Sequence, residues 1–136
     1  MERKILYVED NPDAIVFFKR VIKKLGGYKV ETVEDGNALV GMFSDKNKAE
    51  EINPEIILLD INLPGMNGFE VLHYLRSKTR HKRTPVIMFT SSDAESDIEK
   101  SYDYGANAYL VKPDNLQSMQ VVLEDTFNFW LKHNVA

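Results

Sequence analysis

Five short apolar runs, separated by helix-length amphipathic stretches, constrain this chain more than any other feature. The runs are Ile5-Leu6-Tyr7-Val8, Lys29 to Val33, Ile56-Ile57-Leu58-Leu59, Pro85 to Phe89 and Ala108 to Val111. Ile56 to Leu59 is wholly apolar, as a strand covered on both faces must be. Lys29 to Val33 alternates weakly, which suits an edge strand. Pro85 stands first in its run, where no ladder bond is lost. Glu9-Asp10-Asn11-Pro12 closes the first run and Lys112-Pro113 the last.

Between the runs the period becomes helical. Ile15, Phe18, Ile22 and Leu25 recur at spacings of 3, 4 and 3, and Gly26-Gly27 stops that helix. Asp35 is placed to cap a second helix carrying Leu39 and Phe43, and Asn67 a third carrying Phe69, Leu72 and Leu75. Ser92 or Asp93 opens a fourth, with Ile98 and Tyr102 as its apolar residues. Leu116, Met119, Leu123, Phe127 and Trp130 form the stripe of a fifth. Ser44 to Pro54 is polar and long, and is expected to be the least ordered connection.

Five strands alternating with five helices predict an α/β domain with a parallel sheet. Right-handed crossovers make it doubly wound. A strand order of 2-1-3-4-5 puts the topological switch between strands 1 and 3, where such sheets place their sites. At 136 residues, one domain over residues 1–136 is expected, with no effector domain.

Composition removes several functions. There is no Cys, which excludes disulfides, thiol catalysis and thiolate zinc sites. The longest apolar runs are four or five residues and none follows Met1 as a signal peptide would, so a cytoplasmic protein that makes no membrane contact is expected. The net charge of -4 argues against direct nucleic-acid binding. The basic cluster Lys78 to Arg83 reads as a solvated helix end and loop. His73, His81 and His133 lack metal-ligand spacing and read as surface residues.

The strand carboxyl ends carry the chemistry. They deliver Glu9 and Asp10, Asp60, Thr90 and Lys112, which a parallel sheet brings to one edge. Singly, each has a plain explanation: solvated turn acids, a strand-end threonine, a surface lysine. Together they form a convergent polar set, which points to a site. Three carboxylates repel unless something neutralises them. A hard divalent cation does so, and an oxygen-only cluster suits Mg²⁺. Lys112 is a point cation suited to an oxyanion. Such a set can place a phosphoryl group on Asp60, since aspartyl-phosphate formation needs mainly positioning and charge neutralisation.

Four segments resemble the receiver domains of two-component response regulators. They are Ile5 to Asn11, Leu59-Asp60-Ile61-Asn62-Leu63-Pro64-Gly65-Met66-Asn67-Gly68, Met88-Phe89-Thr90-Ser91 and Gly105 to Pro113. Their separations, 30 residues from Asp60 to Thr90 and 22 from Thr90 to Lys112, fit that family. The resemblance covers essentially the whole chain and implies a CheY-like, flavodoxin-like (βα)5 fold. It also implies that Asp60 accepts a phosphoryl group from a sensor histidine kinase or a histidine phosphotransfer protein. Mg²⁺ would be held by Asp10, Asp60 and the backbone carbonyl of Asn62, with Glu9 acting through water. Lys112 would contact the phosphoryl oxygens and Thr90 would swing its hydroxyl onto them. Tyr109 would change rotamer with Thr90 and carry the signal to the fourth helix, fifth strand and fifth helix. The Lys112–Pro113 bond would be cis. Such a protein catalyses only its own phosphorylation and dephosphorylation and is not a turnover enzyme. Ser91 stands where receivers often carry Ala, and is small enough to leave access open. Asn62 and Ser92 occupy positions at which receivers tune hydrolysis.

A stand-alone receiver signals through a partner, a dimer or a relay. Phe127, Phe129 and Trp130 crowd the last helix. Neighbouring residues project about 100° apart, so Phe129 and Trp130 cannot both face the core. They suggest either a wide core face or an aromatic patch for a partner or homodimer. The long connection before the third strand and this helix end resemble small receivers paired with phytochrome-type histidine kinases. Three other functions compete. A phosphatase of the haloacid dehalogenase type needs a second Asp where Asn62 stands. An FMN-binding protein needs a hydroxyl- and glycine-rich loop where Glu9-Asp10 would repel phosphate. A phosphorylation-independent dimeric scaffold predicts that Asp60→Asn changes nothing.

Overall fold

The computed structural model describes residues 2–136. Five strands, β1 (Arg3–Val8), β2 (Tyr28–Val33), β3 (Ile56–Leu59), β4 (Val86–Thr90) and β5 (Ala108–Val111), form one parallel sheet. Their order is β2-β1-β3-β4-β5, as the alternating pattern requires. The helices are α1 (Pro12–Leu25), α2 (Gly36–Ser44), α3 (Lys46–Ile52), α4 (Gly68–Lys78), α5 (Glu95–Asp103) and α6 (Leu116–Phe127). A π-helical turn, Asn128–His133, continues α6.

Alternation along the strands splits the core into two layers. Ile5, Tyr7, Ile56, Leu58, Ile87 and Phe89 face α1 and α6, meeting Phe18, Leu123 and Phe127. Leu6, Val8, Ile57, Leu59, Val86 and Met88 face the other way, toward Leu39, Val71 and Leu72 of α2 and α4. β3 is buried at every residue, because both its faces are covered. Each such side chain stabilises the fold by about 1.5–3 kcal/mol.

The helix ends follow local chemistry. Asn11 caps α1, its side chain accepting from the N–H groups of Asp13 at 2.9 Å and Ala14 at 3.2 Å. Gly26, at φ 72°, ends it in a conformation that a β-carbon disfavours. Asn67 and Glu70 form a reciprocal capping box at the start of α4.

Six expectations are corrected. The Ser44 to Pro54 connection contains α3, because Asp45 accepts from the N–H groups of Asn47 and Lys48 and caps a helix there. No α3 residue is buried, so no apolar stripe announces it. The fourth predicted helix is α5 and starts at Glu95, with Ala94 at its cap. Ser92 instead braces the preceding loop, donating to Asp97 Oδ2 at 2.6 Å. His81 is buried, not on the surface: its Nδ1 pairs with Thr84 Oγ1 at 2.8 Å and its ring meets Phe43 edge-on. Phe127 is wholly buried beside Tyr28 and belongs to the core, so it offers nothing to a partner. Among the described residues no peptide bond is cis, so Lys112–Pro113 is trans; the prolyl trans preference of about 0.5–1 kcal/mol leaves the isomer to local context. Leu131 takes the buried place given to Trp130 in the apolar stripe. The π turn closes its hydrogen bonds over five residues, as from Asn134 N–H to the Phe129 carbonyl at 2.7 Å, so a residue four beyond Phe127 returns to the core face.

Candidate functional site

All five strand-end residues reach the carboxyl edge of the sheet, around the switch between β1 and β3. Glu9 follows β1 and is 1% exposed. Its Oε2 accepts from the N–H groups of Asp10 at 3.1 Å and Asn11 at 3.2 Å. Its Oε1 accepts from the Tyr7 hydroxyl at 3.2 Å and from Lys112 Nζ. Asp60 follows β3, and its Oδ1 accepts from the Ile61 N–H at 2.7 Å. Its Oδ2 accepts from Lys112 Nζ at 3.0 Å. One ammonium therefore bridges two buried carboxylates. The Lys112 N–H donates to the Thr90 carbonyl at 2.7 Å, which holds the ends of β4 and β5 together.

Asp10 is exposed beside this pair, and its carboxylate has no hydrogen-bond donor among the described residues. Glu9, Asp10 and Asp60 each offer an oxygen within 4.8 Å of the other two. Hard oxygen donors at this spacing, one of them unpartnered, fit a divalent cation. Asn62 lies two residues past Asp60, exposed in the loop to α4. Thr90 is buried, and among the described residues its Oγ1 meets only the Ser92 N–H, at 3.5 Å. Tyr109 is half-buried and donates its hydroxyl to the Ser92 carbonyl at 2.8 Å. Phe129 is 52% exposed, whereas Trp130 is half-buried beneath its edge.

Electrostatics follow from burial. The Glu9 carboxyl is held above the usual carboxylate range, foremost by burial; the hydrogen bond from Lys112 opposes that and the nearby Asp60 charge adds to it. The Tyr7 phenol is pushed up by burial and then by Glu9, so it stays a donor. Burial likewise raises the Tyr109 phenol.

Two residues of this region escape a reading of strand ends. Tyr7 is stacked on Phe18 at 4.0 Å between ring centroids and points its hydroxyl at Glu9. The two-residue spacing that puts Tyr7 and Glu9 on one face of β1 is the signal for it. Gly68 opens α4 directly against the loop that follows β3. A β-carbon there would stand 2.2 Å from the Asp60 carbonyl oxygen and 2.7 Å from Ile61 Cα, so no side chain fits.

Comparisons with known proteins agree with this geometry. The family model described as the response regulator receiver domain matches residues 5–124. The chain is 32% identical to response regulator Rcp1 of Synechocystis, over 94% of this chain and 88% of that one. It is 30% identical to a probable methanogenesis regulatory protein, FilR2, of Methanothrix harundinacea, over 96% and 84%. Among solved structures it resembles the phosphorylated cyanobacterial phytochrome response regulator RcpA, with a TM-score of 0.89 at 33% identity over 99% and 98% of the two chains. The Mn²⁺-bound form of Rcp1 matches with a TM-score of 0.83 at 31% identity over 98% and 97%.

Proposed function

The chain belongs to the response regulator receiver family, and on that premise we propose that it is a phosphorylation-driven signalling module with Asp60 as its acceptor. The observation that carries this reading is the Lys112 ammonium set between Glu9 and Asp60, with Asp60 Oδ1 tied back to its own loop. An Asp60 carboxylate oxygen attacks the phosphorus of a phosphohistidine on a kinase or phosphotransfer protein. The new O–P bond forms as the N–P bond breaks, and the imidazole leaves. Lys112 keeps its proton and offsets the charge on the phosphoryl oxygens. The Thr90 hydroxyl, which has no acceptor of its own among the described residues, donates to one of them. Asp10, Asp60 and the Asn62 carbonyl would hold Mg²⁺, with Glu9 acting through water; when bound, the cation would supply neutralisation of the charge on the transferred group. The same constellation serves hydrolysis of the acyl phosphate, and the chain turns over no other substrate.

When Thr90 moves, the Tyr109 contact with the Ser92 carbonyl changes and the surface of α5, β5 and α6 changes with it. The likeness to RcpA and Rcp1 supports a phytochrome-type histidine kinase as the donor. Phe129, with the edge of Trp130, is the surface for a homodimer or a downstream partner. The chain works as one receiver unit in the cytoplasm, without direct contact to nucleic acid or membrane; among the described residues no helix is long and apolar enough to cross a membrane.

Intact mass after incubation with Mg²⁺ and either acetyl phosphate or phosphoramidate tests this, with sizing on the same samples. Wild type should gain roughly 80 Da, one phosphoryl group, and Asp60→Asn should not. A concurrent change in size makes the dimer the output. No adduct from either donor, or an equal adduct on Asp60→Asn, overturns the assignment.

A further inference from the structure

The amino ends of the strands carry a groove that the acceptor chemistry does not use. It measures about 580 Å³ and is lined by Arg3, Glu55, Arg80, Lys82, Arg83 and Trp130, among others. Arg3 begins β1 and Glu55 immediately precedes β3, so the groove lies at the far end of the sheet from Asp60. Strands of four to six residues put about 13–20 Å between them.

Its charge is unbalanced. Arg3 is paired with Glu55 at 2.5 Å. Arg80, Lys82 and Arg83 are exposed, and none forms an ion pair among the described residues. Lys78 sits in the last turn of α4, where a cation offsets the helix dipole. The other three lie beyond the helix, and the dipole does not account for them. Nor is their loop slack. The Arg76 guanidinium donates to the carbonyls of His81 at 2.9 Å and Thr84 at 2.7 Å, and His81 ties back to Thr84. Three cations are thus presented on a braced loop. Beside them Pro85, Leu131 and half-buried Trp130 supply an apolar floor.

We propose that this groove docks an acidic segment of a partner protein, its carboxylates on Arg80, Lys82 and Arg83 and one apolar side chain on Trp130. Exposed ion pairs contribute little each, so the apolar anchor supplies the affinity and the charges select the sequence. Tryptophan and arginine are the residue types that carry such contacts. A nucleic acid fits less well: three cations release few counterions, and a phosphate backbone makes no use of the apolar floor at Trp130.

Trp130 is the only tryptophan, so its fluorescence reports directly on the groove. The probe is a synthetic peptide of alternating Glu and Asp with one central Leu, titrated into the full chain. Emission should change saturably. Arg80→Glu/Arg83→Glu should weaken the midpoint by about tenfold, because two attractive surface pairs become repulsive. Replacing the central Leu by Ala should weaken it too. Lys19→Glu/Arg20→Glu, an equal charge change on exposed positions of α1, should leave the midpoint within about twofold. Circular dichroism confirms that both variants fold. No saturable change, equal losses in the two charge-reversed variants, or indifference to the Leu overturns the proposal. Tighter binding of a duplex DNA of equal charge overturns it in favour of nucleic acid.

Discussion

At the carboxyl edge of the sheet the decisive charges are negative, buried and shared; at the amino edge they are positive, exposed and unshared. Part of this polarity comes from the topology. Parallel strands joined by helices aim the helix N-termini at one edge and the C-termini at the other. Asp13, Glu70, Glu95 and Asp97 occupy first turns, while Lys23, Lys24, Arg76, Lys78 and Lys100 occupy last turns, each sign facing the end of the helix dipole that favours it. Glu9 and Asp60 go further, because burial obliges every carboxylate oxygen to find an N–H, a hydroxyl, an ammonium or a cation. The loop cations beyond α4 meet no such demand. Water satisfies them, and they stay free to recognise something else. On the two proposals above, buried charge at one end serves reaction and solvated charge at the other serves selection.

The largest effect that would break this contrast comes from Lys112→Ala. Removing the shared ammonium should slow phosphoryl incorporation by about 10²–10³-fold, measured by intact mass against time, with the fold retained in Mg²⁺ by circular dichroism. An unchanged rate would reduce the buried ammonium to a structural tie. Gly68→Ala comes next. Its β-carbon would collide with the backbone of Asp60 and Ile61, so urea denaturation should show a loss of about 1–3 kcal/mol. Asp10→Asn should weaken divalent-cation affinity by about tenfold in a calorimetric titration, because it removes the carboxylate with no other partner. Equal affinity would remove Asp10 from the ligand set.

The smallest effect sits near the amino edge. The His81 imidazole is drawn below its ordinary range by burial, then by the positive charges of Arg80 and Arg76. The unfolded chain therefore takes up a proton more readily than the folded one. The stability tied to His81 is complete above the unfolded value of about 6.5 and is lost as pH falls toward the lowered native value. Urea midpoints at about pH 7.5 and 5.5 should drop less for His81→Asn than for wild type. Parallel drops would show that His81 does not titrate with unfolding.

The sheet was legible because its strands are apolar runs bounded by Gly, Pro and Asn, and because alternation with helices leaves few topologies. The convergence of Glu9, Asp10, Asp60, Thr90 and Lys112 was legible for the same reason: strand ends of a parallel sheet share an edge. What escaped was whatever lacks a periodic apolar signature. α3 rests on one capping Asp and sets only partly buried Ile52 of its apolar side chains against the core cluster. His81 lies inside a basic stretch, yet the Arg76 guanidinium gathers its carbonyl and that of Thr84 and turns its ring inward. Tyr7 passes for an ordinary core residue until its hydroxyl is found on Glu9.

The wide turn at Asn128–His133 has a consequence for how this chain can change length. Met119, Leu123, Phe127 and Leu131 fall four residues apart, a spacing that drifts around an ideal α-helix of 3.6 residues per turn. The π turn absorbs that drift and brings Leu131 back to the core face while Phe129 points outward. It behaves as a register buffer. An insertion or deletion at this point would re-aim the aromatic pair and shift Leu131, while the carboxylate cluster at the opposite edge of the sheet would stay as it is.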